Sequence, residues 1–137
     1  MYLMNLEEVK KEIIKINDYL RNCLWMDFEL NHMNGGKIVL SGSIDMSQND
    51  YAIDIYFEYP YYISSLLFWH TDTKKKFVEL VETKEMSDII TKYKVEAGNY
   101  IFKIYPENYD DSSFYIIAKK IACKIINKNP FDFMNEK

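Results

Sequence analysis

Two histidines and two cysteines are the side chains of this sequence best suited to nucleophilic, acid–base or metal chemistry: His32, His70, Cys23 and Cys123. The cysteines lie far apart, and neither has the CxxC or Cys/His spacing of a zinc site. No HxH or HxxxH pattern, nucleophile elbow or glycine-rich phosphate loop is present. The sequence therefore predicts no metal, no cofactor and no catalytic residue, and it makes an enzyme the less favoured class.

Carboxylates supply the remaining candidate chemistry. Asp27 and Glu29 would lie about 7 Å apart on a β-strand, a separation that allows two carboxyl groups to share acid–base work. Asp54 and Glu58 would lie about 13 Å apart on the same basis, which is too far. Nothing indicates the burial that would raise the pKa of Asp27 or Glu29. The pattern therefore favours binding over catalysis.

Strands must position these carboxylates, because the hydrophobic pattern around them has a period of two. We expect strands at Trp25–Met33, Lys37–Asp45 and Tyr51–Tyr59, the first two joined by a turn at Asn34-Gly35-Gly36. Alternation turns the apolar side chains toward the core and leaves a polar set on the opposite face of the sheet. That set comprises Asp27, Glu29, Asn31, Asp54, Tyr56 and Glu58.

Three amphipathic segments predict helices. The first runs from Met4 to Leu20, with Asn5 as its N-cap. A short helix is predicted from Lys84 to about Tyr93, and a C-terminal helix from about Ser112 to Asn127. Lysines near the end of the C-terminal segment would complement a helix dipole.

Further strands are predicted at Leu66–Thr71 and Phe77–Glu82, which we expect to form a second hairpin, and at Asn99–Tyr105. Strands joined by tight turns, without crossover helices, indicate the α+β class. We therefore expect an antiparallel sheet of five to six strands, in hairpins or a meander. The N-terminal and C-terminal helices would pack on one face of that sheet.

Composition is that of a globular protein. The chain has 137 residues, 48% of them hydrophobic, which predicts a single domain over 1–137, with a flexible tail at 129–137. The absence of a signal peptide and of any apolar run of membrane-spanning length predicts a cytoplasmic protein with no membrane partner. The net charge of −4 argues against binding duplex nucleic acid.

The polar face favours a non-enzymatic protein-binding module, because tyrosine offers contact area at little entropic cost and carboxylates select a basic partner. Inhibitors that neutralise a toxin or nuclease carry surfaces of this type, an analogy of surface alone. A solvated sheet face also carries such residues without any partner.

Two other functions stay open from the sequence. One is a small-ligand-binding protein or enzyme with an aromatic pocket between sheet and helices, involving His70 or an inward-facing His32. The other is a homodimer that associates through the aromatic residues between Tyr59 and Trp69.

Overall fold

The structure is a computed structural model, and it describes residues 3–45, 50–107 and 112–131. Within those residues, helices α1 (Leu6–Arg21) and α2 (Lys84–Tyr93) accompany seven strands of one antiparallel sheet. In chain order the strands are β1 (Met26–Met33), β2 (Lys37–Ser43), β3 (Ile53–Ile63), β4 (Phe68–Thr71), β5 (Val78–Leu80), β6 (Tyr100–Ile104) and β7 (Phe114–Ile125). Their order in the sheet is β4-β1-β2-β3-β7-β6-β5. The predicted α+β class is confirmed, with one strand more than the upper expectation.

Helix α1 begins at its predicted N-cap. The Asn5 side chain accepts a hydrogen bond from the Glu8 backbone N–H (2.9 Å), and the Glu8 carboxylate accepts one from the Asn5 N–H (3.1 Å). This reciprocal capping box satisfies backbone donors that a helix start leaves unpaired. The apolar stripe of α1 is buried against one face of the sheet, which we call the inner face. The stripe consists of Val9, Ile13, Ile16 and Leu20.

The predicted C-terminal helix at Ser112–Asn127 is wrong, because this segment forms β7. β7 pairs with β3 over nearly its whole length and with β6 through residues 114–118. Its β-branched and aromatic residues favour a pleated strand. Ile116 and Ile117 point to opposite faces and are both fully buried. A strand buried on both faces lacks clean two-residue alternation, so periodicity did not separate it from a buried helix.

The predicted hairpin between Leu66–Thr71 and Phe77–Glu82 is also wrong, because β4 pairs with β1 and β5 pairs with β6. The two strands therefore lie at opposite edges of a curled, half-barrel sheet. Long-range hydrogen bonds hold the connection in place: Thr73 Oγ1 donates to the Cys23 carbonyl (2.9 Å). The Asn17 side chain in α1 accepts from the Phe77 N–H (3.0 Å) and donates to the Val78 carbonyl (2.9 Å).

The two helices pack on opposite faces of the sheet, and the predicted packing of N-terminal and C-terminal helices on one face is wrong because the C-terminal segment is a strand. α1 covers the inner face, whereas Ile89 of α2 packs with Ile101 and Ile117 on the outer face. We call the outer face of β6 and of residues 114–118 in β7 the covered half. The outer face of β1, β2 and residues 53–58 of β3 is the open half, and no helix of the described chain packs on it.

The space between α1 and the sheet is filled by aromatic and aliphatic side chains. Phe28 and Phe77 are fully buried with ring centroids 4.4 Å apart. Packing is close enough that a Cβ at Gly42, directly opposite Phe28, would lie 2.9 Å from that ring. No helix within the described ranges has the length and apolar character to cross a membrane.

Candidate binding surface on the open half

Strand pairing places the predicted polar residues of β1 and β3 on either side of β2. Glu29 is in register with Ser41, and Ser41 is in register with Asp54. Directly paired residues of an antiparallel sheet project from the same face. Glu29 and Asp54 therefore flank Ser41 on the outer face, as the alternation predicted for these two carboxylates.

A chain of hydrogen bonds links four side chains of the open half. Asn31 Nδ2 donates to Ser41 Oγ (3.0 Å), and Ser41 Oγ donates to Asp54 Oδ1 (2.6 Å). The Tyr56 hydroxyl lies 3.4 Å from the other Asp54 oxygen, and burial, together with the Asp54 charge, raises the pKa of Tyr56. Ser41 is fully buried at the centre of this network. Ser41 is not among the predicted site residues, although its position in the alternation of β2 could have identified it.

Glu29 is held by Tyr51, which is also absent from the predicted site residues. The Tyr51 hydroxyl donates a hydrogen bond to Glu29 Oε1, and this bond is the main reason that the pKa of Tyr51 rises to about 12. Strict alternation from Ile53 would turn Tyr51 inward. Because β3 begins only at Ile53, Tyr51 precedes the strand and does not follow its alternation. Its hydroxyl therefore reaches the outer face.

Asp27 pairs with His70 at the β4 edge of the open half. His70 Nδ1 hydrogen-bonds Asp27 Oδ1, and this bond, followed by the charge of Asp27, raises the pKa of His70. Glu107 lies nearby, and its backbone N–H donates to the His70 carbonyl (2.9 Å). The pair borders a cleft of about 260 Å³, yet the His70 side chain is 75% exposed.

His32 does not face inward, contrary to prediction. A bulge between Leu30 and His32 shifts the register, so His32 pairs with Val39 on the outer face. Its ring is exposed and lies 3.0 Å from the Asn34 side-chain nitrogen. Both histidines therefore lie outside the filled space between α1 and the sheet.

The open half is less uniformly acidic than predicted, because β7 brings lysines to it. Glu58 is in register with Lys37 on one side and with Lys120 on the other, and Asp54 is in register with Lys124. Lys120 and Lys124 were expected on the exterior of the predicted C-terminal helix, whereas Lys37 lies on its predicted strand. The acidic surface is thus confined to Asp27, Glu29 and Asp54, while Glu58 belongs to a mixed-charge border.

The covered half contains a tyrosine–carboxylate pair that does have a cation. The Tyr115 hydroxyl hydrogen-bonds Glu85 of α2, and Lys103 Nζ lies 3.2 Å from the same carboxylate. The hydrogen bond from Tyr115, followed by the lysine, lowers the pKa of Glu85. Within the described residues, neither Glu29 nor Asp54 forms an ion pair. The open half therefore presents two hydrogen-bonded carboxylates, Glu29 and Asp54, that form no ion pair with a described residue, although Lys124 is the strand neighbour of Asp54.

An apolar side chain stands beside these carboxylates. Phe68 of β4 is in register with Glu29 and is 74% exposed. Its neighbour Leu67 is 73% exposed. An exposed aromatic ring beside fixed charges is typical of an interface anchor.

The aromatic cluster predicted as a dimer contact is divided among three places. Trp69 is buried in the core. Tyr62 stacks on Tyr93 of α2 with ring centroids 4.3 Å apart, and the Tyr61 hydroxyl lies 2.8 Å from the Tyr93 carbonyl oxygen. Only Tyr59 and Phe68 of this cluster keep exposed rings without a bond to α2, so the homodimer stays a prediction.

A scan against protein-family models, a search of curated proteins and a search of solved structures found no match to this chain. In residues 3–45, 50–107 and 112–131, no three His, Cys, Asp or Glu side chains come together as a metal site. The candidate site is therefore defined by the geometry of the open half alone.

Proposed function

We propose that the chain is a non-enzymatic protein-binding module that engages a basic partner through the open half of its sheet. The observation that carries this proposal is the pair of carboxylates, Glu29 and Asp54, each held by hydrogen bonds and neither part of an ion pair among the described residues. In the covered half, by contrast, Lys103 Nζ lies 3.2 Å from the Glu85 carboxylate. A lysine or arginine of a partner would supply a positive charge to Glu29 and Asp54, as Lys103 does to Glu85.

The geometry favours recognition for two further reasons. The carboxylates are oriented before binding, so little side-chain entropy is lost when a partner docks. Phe68 adds an exposed ring in register with Glu29, which can be buried at the centre of an interface. A basic partner with an apolar pocket for this ring would match the surface.

A random peptide library displayed on phage and selected on the wild-type protein tests the proposal. Selected peptides should be enriched in lysine and arginine together with apolar residues. The double variant Glu29→Gln/Asp54→Asn keeps the hydrogen-bond acceptors and removes both charges. It should bind the selected peptides about tenfold more weakly or worse, and added salt should weaken wild-type binding.

The matched control is Asp88→Asn/Glu96→Gln, which removes the same charge from exposed positions on and just after α2. It should bind the peptides as the wild type does. Equal losses in the two double variants would show that net charge alone attracts the peptides. Selected peptides without basic enrichment would reject the proposed surface.

A small-ligand-binding or enzymatic role is the second candidate, and the His70–Asp27 pair is the observation in its favour. A carboxylate that orients an imidazole is the arrangement of a general base. Against it, the imidazole is largely exposed, and the space between α1 and the sheet is filled. Ester hydrolysis that follows the ionisation of His70 and disappears in His70→Asn would favour this role over protein binding.

A further inference from the structure

A cleft of about 630 Å³ lies at the end of the sheet where β2 finishes and β3 begins. The residues that line it include Trp25, Tyr51, Asp45 and Asp50. Volumes of this order are typical of sites that enclose a side chain or a small molecule. Aromatic faces together with carboxylates are the groups that bind organic cations.

Hydrogen bonds fix the polar end of each ring. Trp25 Nε1 donates to the Ile44 carbonyl (3.1 Å), and the Tyr51 hydroxyl donates to Glu29. Phe131 packs against Trp25 with ring centroids 4.6 Å apart and an interplanar angle of 73°. The indole is thus held from two sides, while 40% of Trp25 stays exposed. A ring held in this way loses little freedom when a ligand stacks on it.

Acidic residues line both clefts that Trp25 borders, which points to a cationic ligand. The larger cleft contains Asp45 and Asp50, and the smaller one contains Asp27 and Glu107 together with His70 and Lys74. Through Tyr51 and its bond to Glu29, the larger cleft is continuous with the proposed binding surface.

We infer that the cleft between Trp25 and Tyr51 is the subsite that receives an arginine side chain of the basic partner. A guanidinium is planar and weakly hydrated, stacks on aromatic rings and forms two parallel hydrogen bonds with a carboxylate, whereas an ammonium is a strongly hydrated point charge. Two rings and two aspartates in one cleft suit the guanidinium better. This inference rests on the proposed function, because it assigns a subsite to the same partner.

The test uses N-acetyl-arginine-methylamide as the probe and the corresponding citrulline amide as a neutral control of the same shape. The probe is titrated into ¹⁵N-labelled protein, and the Trp25 indole N–H is followed by NMR after assignment with Trp25→Phe. The arginine compound should shift this resonance in a saturable way, and the citrulline compound should not. Asp50→Asn should weaken the arginine response at least about fivefold, and Asp88→Asn on α2 should leave it unchanged.

The outcomes separate the subsite from the surface. An arginine compound that leaves the indole resonance unmoved, or that binds wild type and Asp50→Asn equally, would overturn the subsite. If the selected peptides still required Glu29 and Asp54 in that case, the proposed function would stand without the cleft. If arginine bound in the cleft but those peptides bound regardless of Glu29 and Asp54, the proposed surface would fall and the cleft would remain a small-cation site.

Discussion

The covered and open halves belong to one sheet face, yet their side chains are stabilised in different ways. In the covered half, Ile101 and Ile117 are buried by α2, and the carboxylate at its margin is neutralised by Lys103. In the open half, Ser41 is buried among polar neighbours, and Glu29 and Asp54 are held by hydrogen bonds without an ion pair to a described residue. The covered half is buried by α2 and its carboxylate is ion-paired, whereas the open half has ordered carboxylates, Glu29 and Asp54, without an ion pair to a described residue. This difference makes the open half the candidate for a partner.

Truncation of Ile117 is expected to give the largest effect, because this side chain is fully buried beneath α2. Ile117→Ala should lower the free energy of unfolding by about 2–5 kcal/mol, the usual cost of deleting a buried isoleucine side chain to alanine. Urea denaturation measures the change. A loss below about 1 kcal/mol would mean that α2 does not pack on the sheet as described.

Removal of the Ser41 hydroxyl should have a smaller effect in the open half. Ser41→Ala takes the acceptor from Asn31 and a donor from Asp54, so we expect a loss of about 1 kcal/mol in the free energy of unfolding. Ser87→Ala, at an exposed position of α2, serves as the control and should change the free energy by less than about 0.5 kcal/mol. Equal effects at both serines would show that the network does not order the open half.

The charge of Glu85 should give the smallest effect, visible as a pH dependence in the covered half. Since the folded protein lowers the pKa of Glu85, its charge stabilises the fold above the unfolded pKa, and this contribution is lost as the pH falls through the folded pKa. Glu85→Gln should therefore cost less than about 1 kcal/mol near neutral pH, because the pair is partly exposed and screened.

Denaturation midpoints of the Glu85→Gln variant and the wild type should converge as the solution becomes acidic. A difference in midpoint that stays constant down to acidic pH would contradict a stabilising role for the charge of Glu85.

Local signals in the sequence predicted those elements whose hydrophobic pattern was unambiguous. The Asn5 cap and the stripe of α1 specify a helix by themselves, and the strict alternation in β1 and β3 placed Glu29 and Asp54 correctly. The short helix at Lys84–Tyr93 was also confirmed. In these segments the local preference and the final environment agree.

Where the environment depends on distant strands, the sequence was misleading. The segment that forms β7 has apolar residues on both faces because its inner face packs in the core with α1 and part of its outer face packs with α2, so its pattern also fits a helix. That error removed Lys120 and Lys124 from the predicted surface. Tyr51 was missed for a related reason, since only the register of β3 shows that Tyr51 precedes the strand. Pro60 did not end β3 either, because a bulge between Pro60 and Tyr62 lets the strand continue to Ile63.

The separation of β4 and β5 in the sheet affects how the chain can fold. Although these strands are neighbours in sequence, they are hydrogen-bonded at opposite margins, so neither can nucleate the other as a hairpin. The central pairing joins β3 to β7, which is remote from it along the chain. Topologies dominated by such remote pairings fold in roughly milliseconds to seconds. The two edge strands can therefore belong to one sheet only after β3 and β7 have paired.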